Sequence, residues 1–175
     1  KKKGEHQRAL ETLLAAALAV PDSAEINISL AETYLAQGLI SEALPHLRRA
    51  SQLSRHEVGI DLKLVRALET VGRLEEARDV ARDARQKWPQ DAELAFTLGE
   101  LTYKLGDPEA ALEPLRDALA LNPQNAAWYE VFARALLGGA QSFVFASAAE
   151  LKPGRLSQAH ALLEKAMDLH SASFR

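Results

Sequence analysis

Small and apolar residues recur along the chain at a constant interval of 34 residues. Glycine recurs at this interval at four positions: Gly4, Gly38, Gly72 and Gly106. Alanine follows five and twelve residues after each glycine: Ala9, Ala43, Ala77, Ala111 and Ala16, Ala50, Ala84, Ala118. A third column holds leucine at 13, 47 and 115 but alanine at 81. A fixed period of this size predicts an array of stacked repeats without a single central core.

Each repeat has the pattern of two helices joined by a glycine turn. In the segment 24–57, apolar residues recur at helical spacing up to Leu35, which predicts a first helix ending near Gln37. Gly38 then predicts a tight turn, because glycine adopts left-handed backbone angles without a Cβ clash. Ser41 is the expected N-cap of the second helix. Prolines predict the ends of the helices before Pro21, Pro89 and Pro123.

The N-terminal segment has no helix ahead of its glycine. Gly4 is therefore expected to be a turn glycine that opens a half repeat. The helix that follows, at 9–20, is apolar almost all round, which is typical of a buried helix. Its uncovered face predicts that the chain is an excerpt or a self-associating module in which Leu10 and Leu14 are covered by another copy.

The fourth repeat contains an insertion. Gly154 and the residues after it repeat the column spacings, but Gly154 lies 48 rather than 34 residues after Gly106. The extra residues fall within 138–153. Because this segment is apolar, we expect it to be ordered, with Phe143 and Phe145 packed on the fourth repeat or at the mouth of the groove.

Composition limits the function classes. The net charge of −3 and the pI near 6.0 argue against a general nucleic-acid binder, which needs a basic surface. Cysteine is absent, so no disulfide or thiol chemistry is expected. No apolar run predicts a membrane span, and the opening lysines do not resemble a signal peptide. The sequence predicts a soluble protein of either the cytoplasm or the periplasm, and its excess of arginine over lysine favours a bacterial source.

The columns resemble the tetratricopeptide repeat family. Residues of the first, third and fourth repeats match its pattern: Leu30, Ala31, Tyr34, Leu98, Gly99, Tyr129, Phe132 and Ala133. Position four departs from the pattern at Asn27, Asp61 and Ala95, and position eleven departs at Leu68 and Thr102. The resemblance implies an all-α superhelix, a right-handed solenoid of antiparallel helix pairs with about four and a half repeats. The expected single domain, 1–175, comprises a half repeat at 4–23, repeats at 24–57, 58–91 and 92–125, and a fourth repeat at 126–175 with the insertion.

The resemblance also implies a binding groove on the concave face of the first helices. Transferred by register, the family's groove positions predict these partner-binding residues: Ile28, Glu32, Leu35, Lys63, Arg66, Phe96, Glu100, Tyr103 and Arg134. We expect a helical or extended ligand with apolar anchors, for which Phe96 and Tyr103 are the hot spots, and with an acidic residue near Lys63 or Arg66. The carboxylate-binding pattern of chaperone-binding family members is not matched, because its positions hold Ile28, Glu32, Lys63, Glu93 and Thr97.

Catalytic and metal-binding patterns are not found. The five histidines do not form an HxxxH or HExxH spacing, and Gly138-Gly139 lacks the context of a phosphate-binding loop. The predicted function is a non-enzymatic scaffold, without a cofactor or metal, that binds a protein or peptide in a bacterial assembly. Self-association through the apolar N-terminal helix is a further expected contact. Nucleic-acid binding and direct membrane insertion are not expected. The alternative is the targeting or regulatory arm of a larger enzyme.

Overall fold

The computed structural model describes residues 2–54, 57–138 and 154–172, and every regular element among them is an α-helix. The helices are α1 Lys2–Ala19, α2 Ala24–Ala36, α3 Ile40–Leu53, α4 Val58–Thr70, α5 Leu74–Lys87, α6 Ala92–Lys104, α7 Pro108–Leu121, α8 Ala126–Leu136 and α9 Arg155–Ala172. They form two compact units, residues 1–81 and 82–175, whose boundary lies within α5. The predicted all-α fold is confirmed.

Helices that are consecutive in the chain pack against each other within each unit. In the first unit α1 packs on α2, α2 on α3, and α3 on α4. In the second unit α6 packs on α7, α7 on α8, and α8 on α9. The first and second helices of a predicted repeat are thus direct neighbours, as in α2–α3, α6–α7 and α8–α9.

Glycine turns join the helix pairs as predicted. Gly38, Gly72 and Gly106 have φ angles of 75°, 77° and 87°, in the region that favours glycine. After α2, the amide of Leu39 donates to the carbonyl of Tyr34 at 3.0 Å, across the turn glycine. This six-residue hydrogen bond satisfies a carbonyl that the end of the helix would otherwise leave unpaired.

Two details of the predicted helix ends are wrong. Gly4 lies inside α1, which begins at Lys2, so its backbone is helical and it does not form a turn. Ser41 is not the N-cap of α3, which begins at Ile40 with Leu39 in the cap position and no side-chain cap. In the third repeat the same cap position is Asp107, whose carboxylate accepts from the amide of Ala110 at 3.0 Å.

The alanine columns allow paired helices to approach closely. Ala43, Ala77 and Ala111 are all fully buried. The closest approach is at Gly99 in α6, where a Cβ atom would lie 2.6 Å from Cγ of Leu115 in α7. Only glycine fits at that position without a shift of the leucine.

In the first and fourth repeats, the side chain at position four ties the preceding loop to the first helix. The side-chain nitrogen Nδ2 of Asn27 donates to the carbonyls of Pro21 at 3.2 Å and Ser23 at 2.9 Å. The hydroxyl of Tyr129 donates to the carbonyl of Pro123 at 3.1 Å, which is the corresponding carbonyl three repeats later. Asn27 departs from the family pattern, but its side chain makes specific hydrogen bonds and the fold is kept.

The turn of the fourth repeat differs from the other three. Gly138 ends α8 with φ 75°, and Gly154 precedes α9 with φ 82°, so two turn glycines stand where the earlier repeats have one. The start of α9 is held by Arg155, whose Nη2 lies 2.6 Å from both carboxylate oxygens of Glu109 in α7. The predicted packing of Phe143 and Phe145 lies outside the described residues.

Candidate partner-binding faces

The first unit places its predicted groove residues on α2 and α4. Ile28 and Leu35 are half-buried and lie two turns apart on α2. Glu32, between them, is exposed and forms an ion pair with Lys63 of α4. Arg66 is also exposed, one turn beyond Lys63. The structure therefore brings apolar and charged side chains together on the first helices of adjacent repeats.

The second unit repeats this arrangement on α6 with aromatic side chains. Phe96 and Tyr103 occupy the same two repeat positions as the apolar pair of α2, and both are half-buried. The ring of Phe96 stacks on Trp128 of α8, with 4.9 Å between the ring centroids and 8° between the planes. Glu100 lies between Phe96 and Tyr103 on α6, and its carboxylate is 3.2 Å from the ammonium group of Lys104. Phe96 thus contributes to the core as well as to the surface.

Arg134 lies on a separate groove formed by α8 and α9 in the second unit. Its guanidinium is 3.5 Å from the carboxylate of Glu130, which also lies 3.7 Å from the imidazole of His170. We define the α8–α9 groove, of about 380 Å³, by the residues that line it: Glu130, Ala133, Arg134, Leu163, Ala166, Met167 and His170. Its floor is apolar, and its rim is charged.

The equivalent surface one repeat earlier is covered. Leu119 of α7 corresponds to Met167 of α9 in the repeat register, and α8 packs against α7 there. As a result, Leu119 is only 8% exposed, whereas Met167 is 71% exposed. The α8–α9 groove is thus a helix-binding surface of the repeat that no described helix covers.

The outer face of α1 is apolar where later second helices are polar. Leu14 is 38% exposed and Leu18 is 86% exposed. In the repeat register, the column of Leu14 holds arginine in the next three second helices, at 48, 82 and 116, and the column of Leu18 holds glutamine at 52 and 86 and alanine at 120. Leu10, which was expected to require another copy for cover, is already buried within the chain. Two large apolar side chains of α1 are thus exposed where α3 and α5 have polar side chains.

Comparison with known proteins identifies the family. The model of the tetratricopeptide repeat matches residues 1–56 and 62–138. The chain belongs to the tetratricopeptide repeat family. None of the curated protein sequences compared with it matches.

Solved tetratricopeptide repeat structures share the fold at low sequence identity. A crystal structure of MamA superposes with a TM-score of 0.78 at 19% identity, covering 98% of this chain and 92% of MamA. Residues 41 to the end of MamA from Desulfovibrio magneticus RS-1 give 0.74 at 15% identity, covering 98% and 89%. YrrB, described as a TPR protein with an unusual peptide-binding site, gives 0.75 at 16% identity, covering 97% and 80%. These likenesses show the fold alone.

A partly buried polar cluster joins α2 and α3 of this tetratricopeptide repeat chain. Nδ1 of His46 lies 3.1 Å from the side-chain oxygen of Asn27, and its ring stacks on Tyr34 with centroids 5.7 Å apart. Because the amide nitrogen of Asn27 already donates to backbone carbonyls, its oxygen is the acceptor and Nδ1 carries the proton. Burial lowers the pKa of His46 below its usual 6.5. The cluster joins the two helices through neutral groups.

Metal-binding clusters and membrane-spanning helices are both absent from the described residues. No group of three or more histidine or acidic side chains is arranged to hold a metal ion. No described helix has the length and apolar character needed to span a membrane.

The sequence did not indicate three features of these faces: the stacking partner of Phe96, the α8–α9 groove and the His46 cluster. Each joins residues of different helices, and no local spacing reports such contacts. A comparison of Met167 with Leu119 in the repeat register could have suggested the groove, because both are large and apolar.

Proposed function

We propose that this chain is a non-catalytic protein–protein interaction scaffold that binds a peptide or a partner protein on the first helices of its repeats. The observation that carries the proposal is the pair of half-buried apolar side chains on α2, Ile28 and Leu35, and its counterpart on α6, Phe96 and Tyr103. Each pair spans two helical turns on one face, which is the spacing with which a helical or extended ligand contacts a groove. The family membership supports the same function.

The charges around these pairs favour a ligand of mixed character. Position nine of the four repeats alternates in sign: Glu32, Arg66, Glu100 and Arg134. A ligand with apolar anchors and acidic residues placed to meet Lys63 or Arg66 would match the first unit. Such charges set orientation and association rate more than affinity. YrrB, a TPR protein with an unusual peptide-binding site, shares this fold, and this supports a peptide ligand here.

A peptide selection tests the proposal without knowledge of the natural partner. Peptides selected from a displayed random library on the purified chain would be labelled, and their affinity measured by fluorescence anisotropy. We expect Tyr103→Ala and Leu35→Ala each to weaken binding by about 1–3 kcal/mol, as for interface hot spots. Tyr103 is preferable to Phe96 as the test of the second unit, because Phe96 also stacks on the buried Trp128.

A substitution on a second helix of a repeat, away from the proposed binding faces, provides the matched control. Gln86→Ala removes an exposed side chain of α5 and should leave the affinity unchanged. If the selection yields no specific peptide, or if selected peptides bind the Leu35 and Tyr103 variants as well as the unaltered chain, the proposed faces are wrong.

We also propose that one partner is a second copy of the chain, bound through α1. The supporting observation is the exposure of Leu14 and Leu18 in columns where the next three second helices have arginine at every position and glutamine, glutamine and alanine, respectively. Burial of two leucines would contribute about 1.5–3 kcal/mol each. Sedimentation of the chain over a range of concentrations tests this: a strict monomer at all concentrations would exclude it.

A further inference from the structure

The α8–α9 groove has the construction of a site for a helix. Its floor consists of Ala133, Leu163, Ala166 and Met167, and the exposure of Met167 shows that this floor is open. One repeat earlier, the corresponding residues Leu115 and Leu119 are buried, and α8 packs on the helix that carries them. The internal repeat thus shows what kind of element covers such a surface: one helix with large apolar side chains.

The rim of the groove departs from the earlier repeats in a way that selects the occupant. Position five is apolar in the first three repeats, at Ile28, Leu62 and Phe96, but it is Glu130 in the fourth. Glu130 and Arg134 therefore place a negative and a positive charge one turn apart on α8. A helix that fits this rim needs a positive and a negative charge one turn apart, followed by apolar residues.

The helix α1 has this pattern. Arg8 and Glu11 are both exposed and lie about one turn apart, and the exposed Leu14 and Leu18 follow on the face that Glu11 shares. The order of charges on α1, positive and then negative, complements the order on α8, negative and then positive. The chain therefore carries both an uncovered apolar helix face and an uncovered apolar groove with matching charges.

We propose that α1 of one copy docks in the α8–α9 groove of a second copy; this inference rests on the self-association proposed above. Leu14 and Leu18 contact Leu163 and Met167, and Glu11 faces Arg134. The two surfaces are different, so the contact is heterologous, and repetition joins copies head to tail into an open chain or a ring.

Glutamate substitutions of the most exposed leucine and methionine test the two surfaces separately. Sedimentation equilibrium of the full chain would give the association constant of each variant. Leu18→Glu and Met167→Glu should each weaken association about tenfold or more, because each buries an unpaired charge in the contact. Gln52→Glu, in the same column as Leu18 but on α3, is the matched control and should have no effect. All three side chains are exposed, and circular dichroism would verify that the variants fold.

A charge exchange tests the proposed pairing of Glu11 with Arg134. Glu11→Arg and Arg134→Glu should each weaken self-association, because like charges then meet in every contact. In an equimolar mixture, α1 of the Glu11→Arg variant meets the groove of the Arg134→Glu variant, so that opposite charges face each other again. The remaining contact in such a pair carries the unaltered residues. The mixture should therefore associate more tightly than either variant alone, by about tenfold.

Each other outcome overturns the proposal in a recognisable way. If Leu18→Glu weakens association but Met167→Glu does not, α1 binds a second copy elsewhere, so the groove assignment is wrong although self-association stands. If the unaltered chain is a monomer, both proposals fail. If it is monomeric but sediments with phosphatidylcholine–phosphatidylserine vesicles and Leu18→Glu abolishes this, the α1 face is a lipid-binding surface instead.

Discussion

The first and third repeats have the same helix positions but use different chemistry to join their helices. In the first repeat, Asn27, Tyr34 and His46 form a polar and aromatic cluster between α2 and α3. In the third repeat the same three columns hold an alanine, a threonine and a proline, at 95, 102 and 114. There the close contact is between Gly99 and Leu115, and the aromatic stack is between adjacent repeats rather than within one.

The two repeats share the helix and turn positions that the period specifies, but their helices are joined by contacts in different columns. The turn glycine and the buried alanines are common to both repeats. The close contact of the third repeat lies in a different column from the polar cluster, because the column of Gly99 holds the buried Ala31 in the first repeat. We therefore expect substitutions in one repeat to have a different cost and pH dependence from those at the same column of the other.

Removal of the aromatic stack should have the largest effect. Trp128→Ala leaves a cavity beneath Phe96 and removes a side chain that is only 8% exposed. The expected loss of unfolding free energy is about 3–5 kcal/mol. Chemical denaturation monitored by circular dichroism would measure it, and Trp128→Phe, which keeps an aromatic ring against Phe96, should lose less. A loss below about 1 kcal/mol for the alanine variant would show that the stack does not stabilise the second unit.

A methyl group at the close contact should have the next largest effect. Gly99→Ala places a Cβ atom against Leu115 and should destabilise the chain by about 1–3 kcal/mol. Gly59→Ala in α4 is the control, because its Cβ atom would meet nothing within 4 Å, and it should stabilise by up to about 1 kcal/mol. If both substitutions had the same sign, helix propensity and not packing would decide the effect at position 99.

The polar cluster of the first repeat should make stability depend on pH in the acid range. Burial lowers the pKa of His46 in the folded state below its usual 6.5, so the unfolded chain binds the proton first as the pH falls. His46 therefore does not affect stability at pH values above 6.5. Its effect lowers the unfolding free energy as the pH falls from 6.5 towards the folded-state pKa.

Thermal unfolding measured at about pH 7.5 and about pH 5.5 would detect this loss. His46→Gln keeps a group that can hydrogen-bond to Asn27 and should reduce the difference between the two pH values. An equal difference in the variant would assign the pH dependence to other groups.

The smallest effect is expected at the ion pair between α2 and α4. Lys63→Met removes the partner of Glu32, but both side chains are about half exposed. The expected change in unfolding free energy is below about 1 kcal/mol, and it should decrease further at high salt. A double-mutant cycle with Glu32→Gln would isolate the pairwise energy.

The sequence predicts the positions of the turns more reliably than the contacts between helices. Gly38, Gly72 and Gly106 were recognisable because the requirement for a positive φ is local and repeats with the period. Gly4 shares the period but not the context, since a turn glycine has to follow a helix. The period alone was not sufficient there.

The candidate site shows the same limit. Positions of the groove residues followed from the register, and the structure places Lys63 against Glu32 as neighbours across two repeats. The stacking of Phe96 on Trp128 joins residues 32 positions apart, and no spacing in the sequence distinguishes an aromatic ring that faces a ligand from one that faces the next repeat. The binding role of the groove residues remains a prediction.

The split turn of the fourth repeat has a consequence for how proteins of this kind can diversify. Gly138 ends α8 and Gly154 precedes α9, both with a positive φ, and Arg155 joins the start of α9 to Glu109 and, at 3.5 Å, to the carbonyl of Leu136. The helix pair is therefore held together independently of the chain between its two glycines. Closure of a flexible replacement segment would cost only about 0.6 kcal/mol more for each doubling of its length, so a segment of different length could stand between the two glycines and leave the repeat register intact.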